Sequence, residues 1–311
     1  MLILEPPRTR YDLHFGLAGF PVRIHPAFWL TSAILGFDTD QFDAVELLLW
    51  VLVIFVSILV HELGHALAVR RFGWVSRIIL YHLGGLATIE PPRDPLFGDE
   101  EELSPKSKIL IAAAGPAAGF LLAGVVIAGL YAAPINFQIA RHETFGLWFT
   151  HDYDRLQYSK PVAKVKEAED SEADVQSAEQ AAAEQAAAED ARHRRLGSLI
   201  NAVLFVNIFW GLVNLLPVFP LDGGQIVREL LCRRDMRAGT EKALLISTIV
   251  AAIVAVAGLL HFGFRHGIFF ALMFGLLAFI NYRVLQQIRA MGGPGGPDDY
   301  GGYEPEDWWK R

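Results

Sequence analysis

The chain has 311 residues, 53% of them hydrophobic, and a formal net charge of −7. Its mean hydropathy is positive, and the apolar residues are bunched into long runs rather than alternating, which is a membrane composition. A single cysteine, Cys232, excludes an internal disulfide and any multi-cysteine zinc cage, so a metal here would need histidine and carboxylate ligands.

From the N-terminus, MLILEPPRTRYDLHF lacks the basic start, apolar run and cleavage site of a signal peptide, so insertion is expected to rely on internal segments. A bilayer core about 30 Å thick needs roughly 20 apolar residues in a helix. Residues 47–69, 109–133, 199–218 and 243–264 approach or meet that length, whereas 26–37 and 268–282 are marginal and would need tilt or neighbouring residues to span. The expected architecture is an all-α polytopic membrane protein of about six transmembrane helices.

Six spans put both termini on one side. Arg8, Arg10 and Arg23 precede the first span, Arg70, Arg71, Arg77, Arg93, Lys106 and Lys108 lie between the second and third, and Arg228, Arg233, Arg234, Arg237 and Lys242 follow the fourth. Short cytoplasmic loops are basic, so both termini are predicted to be cytoplasmic, in a multi-pass protein of the cell membrane. No basic cluster is interleaved with aromatics, so no nucleic-acid partner is expected.

The chain divides into a first membrane half (1–133), an acidic Ala-rich insert (134–195), a second membrane half (196–291) and a Gly/Pro-rich tail (292–311). The insert contains AEQAAAEQAAAED and has few large apolar residues beyond its first third. It reads as a solvated, partly helical or disordered linker outside the cytoplasm, and the tail reads as disordered.

The second span runs SILVHELGHALAVRRFG. His61 and His65 are four apart, one turn along the same helix face, and can reach one zinc ion. Glu62 beside them is placed to take a proton from an activated water. Fourteen uncharged residues, 47–60, lead into the motif and set His61 about 21 Å into the bilayer. The plainer reading, polar residues packing at a helix end, is the weaker one, because ionisable groups at that depth are expensive.

Catalytic zinc normally takes three protein ligands and keeps one open position. The fourth span, FVNIFWGLVNLLPVFPLDGGQIVREL, supplies a third candidate: Pro217 and Pro220 break the helix and Asp222 follows, flanked by Gly223 and Gly224. Alone, Asp222 could be an ordinary turn acid; paired with HELGH the ligand reading is the stronger. Asn214 is a candidate contact for substrate backbone or an oxyanion, against an interhelical polar contact. His82 is a substitute ligand without a spacing argument.

HELGH at 61–65, NLLPVFPLDGG at 214–224, AAAGPAAG at 112–119 and RIHPAF before the first span together resemble the site-2 protease family of intramembrane metalloproteases. That resemblance implies one zinc ion bound by His61, His65 and Asp222, water activated by Glu62, and cleavage of a transmembrane segment of a membrane protein in regulated intramembrane proteolysis. It also implies that GGLATIE, after the metal helix, forms a membrane-associated β-hairpin that takes substrate as an added strand. The spacing of Gly115 and Gly119 suits close packing of the third span on a neighbour. Relatives often carry a PDZ module in the insert or a nucleotide-sensing domain after the last span, and neither fits this sequence. A catalytically silent homologue, a metal transporter and a prenyl-protein protease are the rival readings; the intact LDGG partner disfavours the first and last, and spans nearly bare of polar residues disfavour the second.

Overall fold

The computed structural model describes residues 5–36, 43–82, 84–91, 103–132 and 172–291. Most of the predicted insert, 134–171, and the tail lie outside the described residues. Four strands, β1 (Leu13–Leu17), β2 (Phe20–Ile24), β3 (Ile78–Tyr81) and β4 (Gly84–Ala87), form one sheet in the order β1-β2-β3-β4. The helices are α1 (Pro26–Gly36), α2 (Ala44–Arg71), α3 (Pro105–Ala132), α4 (Glu172–Phe205), α5 (Gly211–Asn214), α6 (Asp222–Leu231), α7 (Met236–His261) and α8 (Phe270–Met291).

Among the described residues, five helical stretches are long and apolar enough to cross a bilayer: α2, α3, the Arg195–Asn214 run through α4 and α5, α7 and α8. The chain is a multi-pass, mostly helical membrane protein with a small sheet. The sixth expected span is different in kind. α1 has only 11 residues, about 16 Å at 1.5 Å per residue, roughly half a bilayer core.

β2 supplies the rest of that height. Arg70 near the end of α2 donates to the Ala18 carbonyl at 2.8 Å and lies over the Phe20 ring, so the start of β2 is level with Arg70. Further along, Leu80 pairs with Ile24 and with Gly85, and Gly85 lies against the Glu62 side chain. Phe28 then meets Phe55, and Gly36 abuts the Trp50 indole. Strand and helix together thus run antiparallel to α2 from the level of Arg70 to that of Trp50, a height of about 30 Å. Arg23 within β2 ends the apolar run that the sequence displays. It is tolerated because Asp12 and Glu5 each meet its guanidinium at 3.0 Å and the Pro6 carbonyl accepts a third bond.

Hairpin β1-β2 turns through two residues at positive φ, Ala18 and Gly19, the geometry that matches strand twist. β2 then pairs in parallel with β3, which antiparallel β4 completes. The β3-β4 hairpin is the one the GGLATIE motif implies. Because β2 precedes α1 and β3 follows α2, the α1-α2 pair leaves and returns to the same sheet.

α4 begins at Glu172, so residues 172–194 are helical and continuous with the fourth span. That span contains a π-helical turn, Val206–Trp210, before α5. α7 and α8 fold back on each other: Arg237 donates to the Ile288 carbonyl at 3.2 Å, and Ala251 and Ala255 share a core with Phe274.

Candidate metal centre

His61 and His65 occupy successive turns of α2, their rings edge to face with centroids 4.8 Å apart. Their Nε2 atoms are 3.1 Å from each other. Asp222, the first residue of α6, brings Oδ2 to 3.2 Å from His61 Nε2 and Oδ1 to 3.4 Å from His65 Nε2. One ligand atom each from His61, Glu62 and His65 lies within 4.8 Å of the others. All four residues are buried.

The tautomer of His65 is fixed from outside the cluster. His65 Nδ1 lies 2.7 Å from the Ile111 carbonyl oxygen on α3, which can only accept, so Nδ1 carries the hydrogen and neutral His65 presents a lone pair at Nε2. Asp222 Oδ2 is near His61 yet has no hydrogen bond among the described residues. A lone pair, a second imidazole nitrogen and an unpaired carboxylate oxygen thus converge in a buried space, an arrangement that is repulsive alone and complementary to a cation. Two imidazoles and a carboxylate are a donor set suited to zinc.

Glycines make the convergence possible. A Cβ on Gly115 of α3 would collide with His65 Nε2 and His61 Nε2, and one on Gly64 of α2 would strike the Ala114 carbonyl and Ala118. Pro116, inside α3, has no N–H for the Ala112 carbonyl, one residue beyond the carbonyl that orients His65. Gly119 faces Asn207 of the π turn instead. The small-residue stretch 112–119 therefore serves the histidines as well as the helix contact expected of it.

Asp222 reaches the histidines because the chain turns tightly after α5. Gly223 and Gly224 lie against the backbone of residues 215–219, where any side chain would collide. As the first residue of a ten-residue helix, Asp222 also sits at the positive end of its dipole.

Glu62, beside the histidines, also meets the sheet: a Cβ on Gly85 of β4 would overlap its carboxylate. β4 is the edge strand, so its outer backbone groups have no strand partner in the described sheet. Tyr81, at the β3 end of the same hairpin, is buried.

Asn214 is buried at the end of α5, but no hydrogen bond or ion pair joins it to the histidine cluster among the described residues. His82 is exposed and packs edge-on against Tyr81, apart from the cluster. Three features have no sequence signal of their own: the Ile111 carbonyl, the Asn207–Ser57 bond of 2.9 Å beside His61, and the residues that hold the turn before Asp222.

On α2 itself, His61 stands nine residues before Arg70, about 14 Å from that basic helix end.

The model of peptidase family M50 matches residues 49–258, more than half of the chain, and takes in both HELGH and LDGG. A curated zinc metalloprotease of Methanocaldococcus jannaschii is 22% identical over 249 residues, covering 79% of this chain and 53% of the relative. A Mycobacterium tuberculosis protein provisionally named zinc metalloprotease Rip3 is 25% identical over 270 residues, covering 79% and 50%. The chain thus spans about half the length of the curated relatives it matches. A solved site-2 protease from Methanocaldococcus jannaschii aligns with a TM-score of 0.48 at 19% identity, over 88% of this chain and 94% of that one. The matched stretch carries three of the four motifs on which the resemblance rests, HELGH, AAAGPAAG and NLLPVFPLDGG, and the chain belongs to peptidase family M50, the site-2 protease family of zinc metallopeptidases.

Proposed function

We propose that this protein is an intramembrane zinc metalloendopeptidase that cuts a transmembrane segment of a membrane protein. His61, His65 and Asp222 hold one zinc ion, and Glu62 is the catalytic base. The observation that carries the reading is the meeting of two imidazole Nε2 atoms and an unpaired Asp222 oxygen, with the His65 tautomer set by Ile111. Zinc held there supplies Lewis-acid activation of water and of the scissile carbonyl.

The chain's own residues supply the rest. Glu62, beside the ligands and buried, takes a proton from the attacking water and returns it to the leaving amine. Glu62 lies against the face of β4 at Gly85, and the outer edge of that strand has no strand partner in the described sheet; in this reading an unwound substrate pairs with that edge and is held extended near the base. A helical peptide bond is shielded by its own hydrogen bonds, which makes unwinding a requirement. Asn214 contacts substrate backbone once substrate is present. In this reading the site lies about 14 Å inside the cytoplasmic face of the cell membrane, with both termini cytoplasmic and the 134–195 segment opposite; the basic residues between the spans support that orientation. The substrate is a single-span or other membrane protein in a regulated proteolytic sequence.

The test is cleavage of a single-span reporter in reconstituted bilayers. Wild type should cut the reporter within its apolar segment, and Glu62→Gln should keep its zinc while losing cleavage. Cutting by Glu62→Gln at the wild-type rate would remove the mechanism.

A further inference from the structure

The segment between α5 and α6 is a short irregular stretch at membrane depth, and its backbone donors can be followed one by one. Pro217 and Pro220 have no N–H. The N–H groups of Leu215, Leu216, Val218 and Leu221 go to the carbonyls of Gly211, Val213, Leu216 and Val218 at 2.7 to 3.2 Å. Phe219 is different: its N–H goes to a side chain, Ser247 Oγ on α7, at 2.9 Å. Its carbonyl accepts from another, Asn281 Nδ2 on α8, at 2.6 Å. Asn281 uses its second amide hydrogen on the Leu277 carbonyl of its own helix at 2.8 Å.

Both clamping residues are 1% exposed, and they come from the two arms of the α7-α8 hairpin. Neither is needed to hold those helices together, since apolar clusters around Phe274 and Leu285 already do so. Irregular backbone survives in a bilayer only where protein satisfies it, and here two buried side chains are committed to one peptide residue three positions before Asp222.

We propose that Ser247 and Asn281 are positioning residues for Asp222: they fix the 215–221 turn and so hold the carboxylate at the histidines. This rests on the reading of Asp222 as a metal ligand. Gly223 and Gly224, packed on the 215–219 backbone, transmit the position of Phe219 to α6. Asn281 lies outside the stretch matched by the family model.

The test is zinc affinity of the full chain in lipid nanodiscs, measured by chelator competition, with the cobalt-substituted absorption spectrum as a second readout. Ser247→Ala removes one acceptor, and Asn281→Asp keeps the shape but loses both donors. Each should bind zinc about tenfold more weakly, the scale of a lost outer-sphere support, and shift the cobalt spectrum toward that of Asp222→Ala. Ser247→Thr, which keeps the hydroxyl, should restore affinity; failure to do so overturns the role of the hydroxyl.

The decisive comparison is made in an Asp222→Ala background. There Asn281→Asp and Ser247→Ala should cost nothing further, because the clamp acts only through Asp222. Unchanged affinity of the single variants, or an equal additional loss in the Asp222→Ala background, would overturn the proposal while leaving the metal reading intact. Unchanged zinc affinity of Asp222→Ala itself would instead overturn the metal reading and this proposal with it. Ser247→Ala carries the test should Asn281→Asp not fold.

Discussion

His65 of α2 and Ile111 of α3 are joined by a 2.7 Å bond from imidazole Nδ1 to backbone carbonyl. Through that bond the third span decides which nitrogen of His65 faces the cluster. Metal-ligating histidines ordinarily have such an outer partner, which fixes tautomer and ring orientation. The partner is a backbone atom here, so its position depends on how closely α2 and α3 approach.

Gly115 tests that approach at the histidines themselves. Alanine is the better helix former by up to about 1 kcal/mol, yet its methyl would enter the space between the two Nε2 atoms. Gly115→Ala is therefore expected to lose at least about tenfold in zinc affinity, the scale of disturbed ligand orientation, with helix content unchanged by circular dichroism. Wild-type zinc binding in this variant would show that the histidines do not meet at α3.

Gly64 tests the helix contact apart from the ligands. A Cβ there meets the Ala114 carbonyl and Ala118, and overpacking of this kind costs about 1 to 3 kcal/mol. Reversible unfolding in mixed micelles should show Gly64→Ala destabilised within that range even with metal removed.

Gly85 separates binding from catalysis. Its replacement by alanine overlaps the Glu62 carboxylate and leaves the histidines and Asp222 untouched. Stoichiometric zinc by elemental analysis, together with a cleavage rate lowered by at least about tenfold for a displaced base, is the expected pair of results. A variant that lost its zinc would place Glu62 among the groups that hold the metal.

Zinc itself should act as a folding ligand. At a free concentration of about 100 times its Kd, a ligand bound only by the native state adds about 2.7 kcal/mol. Thermal unfolding with and without chelator should show this increment in wild type and a much smaller one in Asp222→Ala.

Ser57 and Asn207 offer a fifth measurement, on the far side of His61. Their 2.9 Å bond links α2 to the π turn, and bonds of this kind in membranes contribute about 0.6 kcal/mol, with an upper range near about 1.7. A double-mutant cycle with Ser57→Ala and Asn207→Leu should return a coupling in that range; no coupling would mean that packing alone holds the turn.

The parts of this fold visible in the sequence were those with a period or a spacing. The runs at 47–69 and 109–133 have the length of a span, and α2 and α3 cover them; HELGH has the one-turn spacing of two ligands; proline and glycine mark the break before Asp222. What stayed hidden were contacts between residues far apart in the chain. Ser247 is one hydroxyl in an apolar run, and its partner Phe219 is 28 residues away. Asn281 answers to the same residue from 62 positions off. Ile111 contributes a carbonyl, which no side-chain pattern can display. The first expected span looked short because the height beside α2 is shared between α1 and a strand holding Arg23, and strand and helix signals do not sum in a hydropathy window.

That divided crossing bears on how the protein is made. An 11-residue apolar helix is too brief to be retained by itself as it leaves the ribosome, and β2 has no hydrogen-bonding partner on its inner side until β3 has been synthesised. α1 therefore depends for its place on α2 and β3, both of which follow it in the chain. The proposed ligands come in the same order, HELGH with the first half of the bundle and Asp222 with the second.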